Sequence, residues 1–272
     1  MVEELAKKGC RVLTCSRNQE DLARVTHEWN EVLGFDVMGV CADVSTRDGL
    51  DSFFSEIENW LDSDADSDAD DKDNDNDNRR RLDILVNNVG MNIRKPSVEY
   101  TKEDTETVWR TNYDSMFDLT MKCYPLMKRR NKNNPGATSS SNSPSSLSSS
   151  VVNIGSVAGV TCMKSGTPYA STKAAMNQLT GNLACEWGLD GIRVNCVAPW
   201  YINTELAKQV LKDEAYLKSV VERTPMGRVG EPEEVSGLVV FLCLPVAQYI
   251  TGQVISVDGG FTRNGYYDSF YR

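Results

Sequence analysis

The 272 residues suit a single domain, and 29 Lys and Arg against 39 Asp and Glu, a formal net charge of −10, argue against a surface that binds nucleic acid. A hydrophobic content of 40% can build one core, but no apolar run is long enough to span a bilayer, so neither a membrane span nor a signal peptide is expected. The single His, His27, cannot support a His-based metal site or triad, and eight Cys without a C-x-x-C pair read as small buried hydrophobes of a reducing, cytoplasmic protein.

In chain order, the pattern opens on a helix over 2–8, with Val2 and Leu5 on one apolar face and Gly9 suited to its C-terminal cap. Strands are expected near 11–16, 36–41, 82–87, 151–155, 192–197 and 253–257, with further helices near 19–33, 47–61, 103–130, 168–187, 204–222 and 232–243. This alternation predicts an α/β fold, a doubly wound Rossmann-type parallel sheet with helices on both faces, occupying 1–272 as one domain. Two low-complexity insertions interrupt it. Residues 62–81 begin with a run, 62–78, holding nine Asp and one Lys, and continue into Arg79-Arg80-Arg81; residues 131–150 are Ser-rich. The acidic run lacks the glycine turn and distal Glu of a calcium loop, so a solvated loop is the better reading. Both insertions precede strands, at the amino edge of the sheet, away from any site at its carboxyl edge.

The strand ending Val151-Val152-Asn153-Ile154-Gly155 delivers Ser156 to that carboxyl edge, and the helix that follows carries Tyr169 and Lys173. Positions i and i+4 share a helix face, so phenol and ammonium point the same way. A phenol with a pKa near ~10 is a poor acid at neutral pH, and a neighbouring cation should bring it toward the working range. Ser156 would hold a carbonyl oxygen. A bare Y-x-x-x-K is weak evidence, but its surroundings are not: Leu82 to Gly90 reads as a buried strand ending in a polar and glycine turn, Arg110-Thr111-Asn112 lies in the next helix, Ile192 to Pro199 is another buried strand, and Gly252 to Gly260 closes the pattern.

Together these segments resemble the short-chain dehydrogenase/reductase family. Thr14-Cys15-Ser16-Arg17-Asn18, Leu183 to Trp187, Thr224 to Arg228 and Tyr249 to Gln253 look most like plant tropinone reductase homologues. The resemblance implies an NADP(H)-dependent oxidoreductase that reduces the carbonyl of a small hydrophobic substrate, working as a homodimer or homotetramer. It makes Asn112, Ser156, Tyr169 and Lys173 the catalytic set. Lys173 would also bind the nicotinamide ribose, and Asn112 would position a water that relays protons to it. The family's first strand and its glycine-rich cofactor turn have no counterpart in this sequence, which begins at the helix that would follow them. Cofactor contacts are then expected from Ser16 and Arg17, where a hydroxyl and a fixed cation after the second family strand suit a 2′-phosphate, and from Asp43, Val44, Asn88, Gly90, Pro199, Ile202 and Thr204. Other readings stand beside three of these: Arg17 as a solvated strand-end charge, Asp43 as a cap for the helix starting near Ser45, and Asn112 as a helix-interior amide bonded to a nearby carbonyl. Trp200 stands where the family has Gly. Val157, Met163 and Tyr201, with Ser156 and Tyr169, are the expected substrate wall, apolar and aromatic. The alternative function is a non-catalytic relic or oligomer partner.

Overall fold

The computed structural model describes residues 1–63, 81–129 and 148–265, so most of both insertions lies outside the described residues. Strand β1 (Val12–Ser16) pairs in parallel with β2 (Val37–Cys41), Val12 opposite Val37 and Ser16 opposite Cys41. A second parallel sheet runs β3 (Ile84–Asn87), β4 (Ser149–Ile154), β5 (Ile192–Pro199), β6 (Val254–Val257) in that order. Strands covered on both faces read as near-continuous apolar runs, and β4 and β5 do so because each face has its own layer of helices. Successive side chains alternate across a strand. Val151 therefore joins a core with α3 (Arg47–Asp62), α5 (Ser115–Met127) and α6 (Thr167–Trp187), while Val152 joins one with α9 (Pro232–Cys243) on the other face. Leu50, Phe53, Ile57 and Leu61 of α3 recur at helical spacing and are all buried, and Thr46 caps that helix by accepting from the Gly49 N–H.

Polar side chains inside the sheet are satisfied in a chain that ties it to the helices. Asn87 Nδ2 donates to Asn153 Oδ1 at 2.8 Å and to Thr120 Oγ1 at 2.9 Å, and Asn153 Nδ2 donates to Thr180 Oγ1 at 3.0 Å.

The strands lie within two residues of their expected starts and ends, but the helices differ in instructive ways. The helix expected over 103–130 is α4 (Lys102–Trp109), a π-helical turn over Arg110–Asp114, and α5. The one expected over 204–222 is two, α7 (Glu205–Leu211) and α8 (Glu214–Arg223), because the Asp213 carboxylate captures the N–H groups of Ala215 and Tyr216 and starts a new helix. The helix expected over 19–33 is α2 (Gln19–His27) followed by a π turn at Glu28–Val32. Ser149 and Ser150, expected within the Ser-rich insertion, belong to β4; their hydroxyls donate to the carbonyls of Met127 (2.7 Å) and Leu242 (3.1 Å), which permits their burial.

Among the described residues, the two sheets do not hydrogen-bond to one another. Between β1 and β3 lies a cleft of about 530 Å³ lined by apolar groups that include Leu5, Leu13, Phe53 and Leu85, with the short α1 (Val2–Ala6) at its side. Among the described residues, both flanking strand edges therefore lack a ladder partner.

Candidate active site

At the carboxyl end of β4 the chain turns sharply. Ser156 is extended and its Oγ accepts the Ala158 N–H at 3.1 Å, which starts a one-turn 3-10 segment over Val157–Gly159. That turn lies directly on α6: a Cβ on Gly159 would sit 2.6 Å from the Lys173 carbonyl carbon, so glycine is what lets the two backbones touch. Helix α6 begins after Gly166, whose φ of +77° is open to glycine, and its first turn presents Tyr169. The Ser156 hydroxyl lies close enough to the Tyr169 phenol to favour its charged form, and Lys173 Nζ lies 5.8 Å from the centre of the Tyr169 ring.

The electrostatics depart from expectation at this point. Burial raises the Tyr169 phenol above its ordinary value, against lowering contributions from Ser156 and from Arg94. Lys173 is 3% exposed and its ammonium donates to the Ile154 carbonyl at 2.7 Å, which holds it at the strand end. Burial pushes its pKa down from 10.5 to about 8. The lowering of Tyr169 expected from Lys173 is not found; Ser156 and Arg94 are the groups that lower it, desolvation outweighs them, and the phenol keeps its proton at neutral pH.

Asn112 stands at the π turn between α4 and α5, a helix defect of the kind that often marks functional positions. Its amide is fully engaged: Oδ1 accepts the Met91 N–H at 2.7 Å, and Nδ2 donates to the Met91 carbonyl at 2.9 Å and to Thr172 Oγ1 at 3.2 Å. The side chain therefore matches the reading of a helix-interior amide bonded to a carbonyl, and it braces the loop after β3 against α6. Gly90 completes the contact, since a Cβ there would lie 3.5 Å from both Asn112 Oδ1 and Lys173 Nζ.

A pocket of about 520 Å³ opens over Ser156, Tyr169 and Lys173. Of the expected cofactor residues, Asn88, Gly90, Pro199, Ile202 and Thr204 line it; of the expected substrate wall, Met163 and Tyr201 do. Val157 does not, because it is 1% exposed and turned into the core. Ser16, Arg17, Asp43 and Val44 lie outside this pocket. Ser16 Oγ accepts the Asn18 N–H at 3.2 Å, and Arg17 is exposed beyond the end of β1. Asp43 Oδ1 accepts from the Ser45 N–H and hydroxyl at 3.0 and 2.6 Å, which hold its carboxyl below the usual range; it stabilises the turn before α3, although Thr46 is the cap itself. Val44 is buried and faces the inter-sheet cleft. Trp200 lines the same pocket, with its indole stacked on Phe261 at 3.7 Å and 7° and donating to Thr224 Oγ1 at 3.1 Å.

Three partners escaped the sequence reading: Thr172, which holds Asn112; the Ile154 carbonyl, which holds Lys173; and Arg94, which lines the pocket. Only Arg94 left a signal, as a cation in the loop that follows a strand's carboxyl end, where ligands gather in such sheets.

Residues 73–262 match the family described as enoyl-(acyl carrier protein) reductase, and residues 1–65 match short chain dehydrogenase. The chain belongs to the short-chain dehydrogenase/reductase family. A tropinone reductase homologue of Arabidopsis thaliana is 47% identical over 98% of this chain and 88% of its own length, and a chloroplastic homologue from the same plant is 42% identical over 98% and 72%. Among solved structures, gluconate 5-dehydrogenase from Burkholderia cenocepacia in complex with NADP and tartrate superposes with a TM-score of 0.76 at 26% identity, covering 96% of this chain and 89% of that one. The RhlG/NADP active-site complex of Pseudomonas aeruginosa gives 0.73 at 30%, covering 96% and 90%. As a member of the family, this chain is an oxidoreductase, and among its described residues no helix is long and apolar enough to cross a membrane.

Proposed function

We propose that this chain reduces the carbonyl of a small, largely hydrophobic substrate with NADPH, in the manner its similarity to tropinone reductase homologues suggests. The observation that carries the reading is the convergence of Ser156, Tyr169 and Lys173 on one pocket at the carboxyl edge of the sheet. For the cofactor, the nicotinamide end has a fitting lining: Asn88, Gly90, Pro199, Ile202 and Thr204 face the same cavity as the catalytic groups, and Gly90 leaves its backbone bare there. Half-buried Ser16 and exposed Arg17, at the end of β1, are the groups that would take a 2′-phosphate, which favours NADP over NAD. NADPH, when bound, supplies the hydride.

The chain's own residues do the rest. Ser156 hydrogen-bonds the substrate carbonyl oxygen and orients it toward Tyr169. The phenol, kept protonated by burial, donates its proton to that oxygen as negative charge develops on it. Lys173, cationic below about pH 8, supplies positive charge that stabilises the resulting phenolate and can return a proton to it. Asn112 keeps the loop of Gly90 and Met91 in place beside Lys173. Met163 and Tyr201 form the wall against which the apolar body of the substrate rests.

A second reading, a non-catalytic partner in an oligomer, is favoured by the open cleft between β1 and β3, which among the described residues leaves two strand edges without ladder partners. Turnover separates the two. NADPH oxidation should be measured with a panel of cyclic ketones for the wild type and for Tyr169→Phe, which deletes the proton donor but keeps the ring. The reductase reading expects turnover in the wild type and a loss of nearly all of it in the variant; equal turnover in both would remove Tyr169 from the chemistry.

A further inference from the structure

We propose that Arg94 is an anion-binding residue of the substrate pocket, so that the preferred substrate is a ketone bearing a carboxylate on its apolar body; the choice of ketone rests on the reductase reading above. Arg94 lines the same cavity as Ser156 and Tyr169, and among the described residues no acidic side chain lines it. The other basic side chain there, Lys173, is spoken for by the Ile154 carbonyl. Arg94 instead holds its guanidinium 5.7 Å from the centre of the Tyr201 ring, on the side of the pocket assigned to substrate. Its neighbour Lys95 makes the ion pair of this loop, to Asp104 at 2.6 Å. Arg94 thus lines the cavity beside Tyr201, whose charged form it favours, and makes no ion pair among the described residues.

Its position is also built. The Tyr100 hydroxyl donates to the Ile93 carbonyl at 2.6 Å and accepts the Lys95 N–H at 3.2 Å, clamping the backbone on both sides of Arg94. Asn112 clamps Met91 three residues earlier in the same way. A guanidinium anchored at its backbone and laid on an aromatic face is pre-organised to take a carboxylate in two parallel hydrogen bonds. The field of Arg94 reaches the reacting group as well, since it favours the charged form of the Tyr169 phenol. A cationic amine in the same place would be repelled, so substrates with a protonated nitrogen near this wall should be poor.

Two paired probes test this. The first pair, cyclohexanecarboxylate and cyclohexanecarboxamide, cannot be reduced; their binding is measured by calorimetry with saturating NADP and without it. The second pair, 4-oxocyclohexanecarboxylate and its carboxamide, is assayed for NADPH-dependent turnover. The wild type should prefer each carboxylate over its amide by about tenfold or more, the weight of one charge-assisted hydrogen bond. In Arg94→Gln that preference should disappear, and Arg94→Lys should keep part of it. No preference in the wild type, or a preference that survives in Arg94→Gln, overturns the proposal. Loss of NADPH affinity in Arg94→Gln by the same factor would assign the guanidinium to the cofactor and overturn it too. If neither ketone is reduced yet the carboxylate preference follows Arg94, the anion site stands and it is the reductase reading that fails.

Discussion

Replacing Asn112 by Ala tests whether the loop after β3 is held from the π turn. The side chain is 0% exposed and makes three hydrogen bonds, to the Met91 N–H at 2.7 Å, the Met91 carbonyl at 2.9 Å and Thr172 Oγ1 at 3.2 Å. Each such bond contributes roughly 0.5–1.5 kcal/mol net, and a buried group left without a partner costs about 1–3 kcal/mol. Met91 is only half-buried, so water can reach its freed backbone groups, and the lower part of the range applies. A loss of about 2–4 kcal/mol follows, which for a chain of this size lowers Tm by roughly 5–15 °C. Because the same loop carries Gly90 and Arg94, KM for cofactor and substrate should rise together with the fall in Tm. Thermal unfolding of wild type and variant, followed by steady-state kinetics well below either Tm, reads both effects. A Tm within about 2 °C of wild type, less than 1 kcal/mol by the same scaling, would show that Asn112 does not brace the site.

Further outcomes follow from the same geometry. Lys173 has a folded pKa of about 8 against an ordinary 10.5, so reduction should be flat near neutral pH and fall as pH passes 8 and the ammonium is lost; Lys173→Arg, which stays charged, should move that limb upward. Since the unfolded chain binds the extra proton between those two values, stability should rise with pH across that window relative to Lys173→Met, and a flat or falling difference would contradict the burial cost assigned to this group. Arg17→Asp should remove a charge-assisted contact worth roughly 1.5–3 kcal/mol and repel a phosphate, shifting preference from NADPH toward NADH; unchanged selectivity would leave Arg17 a surface charge. Joining a β-branched strand and a glycine turn ahead of Val2, to fill the cleft between β1 and β3, should raise both Tm and NADPH affinity, and no change in either would show that the two strand edges tolerate their separation.

Much of the fold was legible because parallel strands buried on both faces announce themselves as apolar runs, and β4 and β5 are the plainest cases. Ser156, Tyr169 and Lys173 were legible because a strand end and a helical i, i+4 spacing place them without reference to anything distant. What escaped was long-range or a local exception to periodicity. The π turn at Arg110–Asp114 adds a residue to a helical pattern without interrupting it, so nothing in the apolar spacing marks it. The break between α7 and α8 did have a local signal, Asp213 ahead of Glu214 and Ala215, which an apolar period reading passes over. The bond from Asn112 to Met91 spans 21 residues and that to Thr172 spans 60, and such pairings depend on how the loop folds back. The pKa of Tyr169 was misjudged because sequence shows the neighbouring cation but not the burial that raises the phenol. Arg94 drew no reading from the sequence; only the cavity shows that it lines the pocket of the reacting groups.

The most direct test of the account is hydride transfer itself, followed with NADPH carrying deuterium at both hydrogens of the nicotinamide C4 and 4-oxocyclohexanecarboxylate as acceptor. Deuterium should appear on the carbinol carbon of the product with wild-type protein and be all but absent with Tyr169→Phe. Unlabelled alcohol from the wild type, or label delivered equally well by the variant, would contradict the assignment of Ser156, Tyr169 and Lys173 as the site of carbonyl reduction.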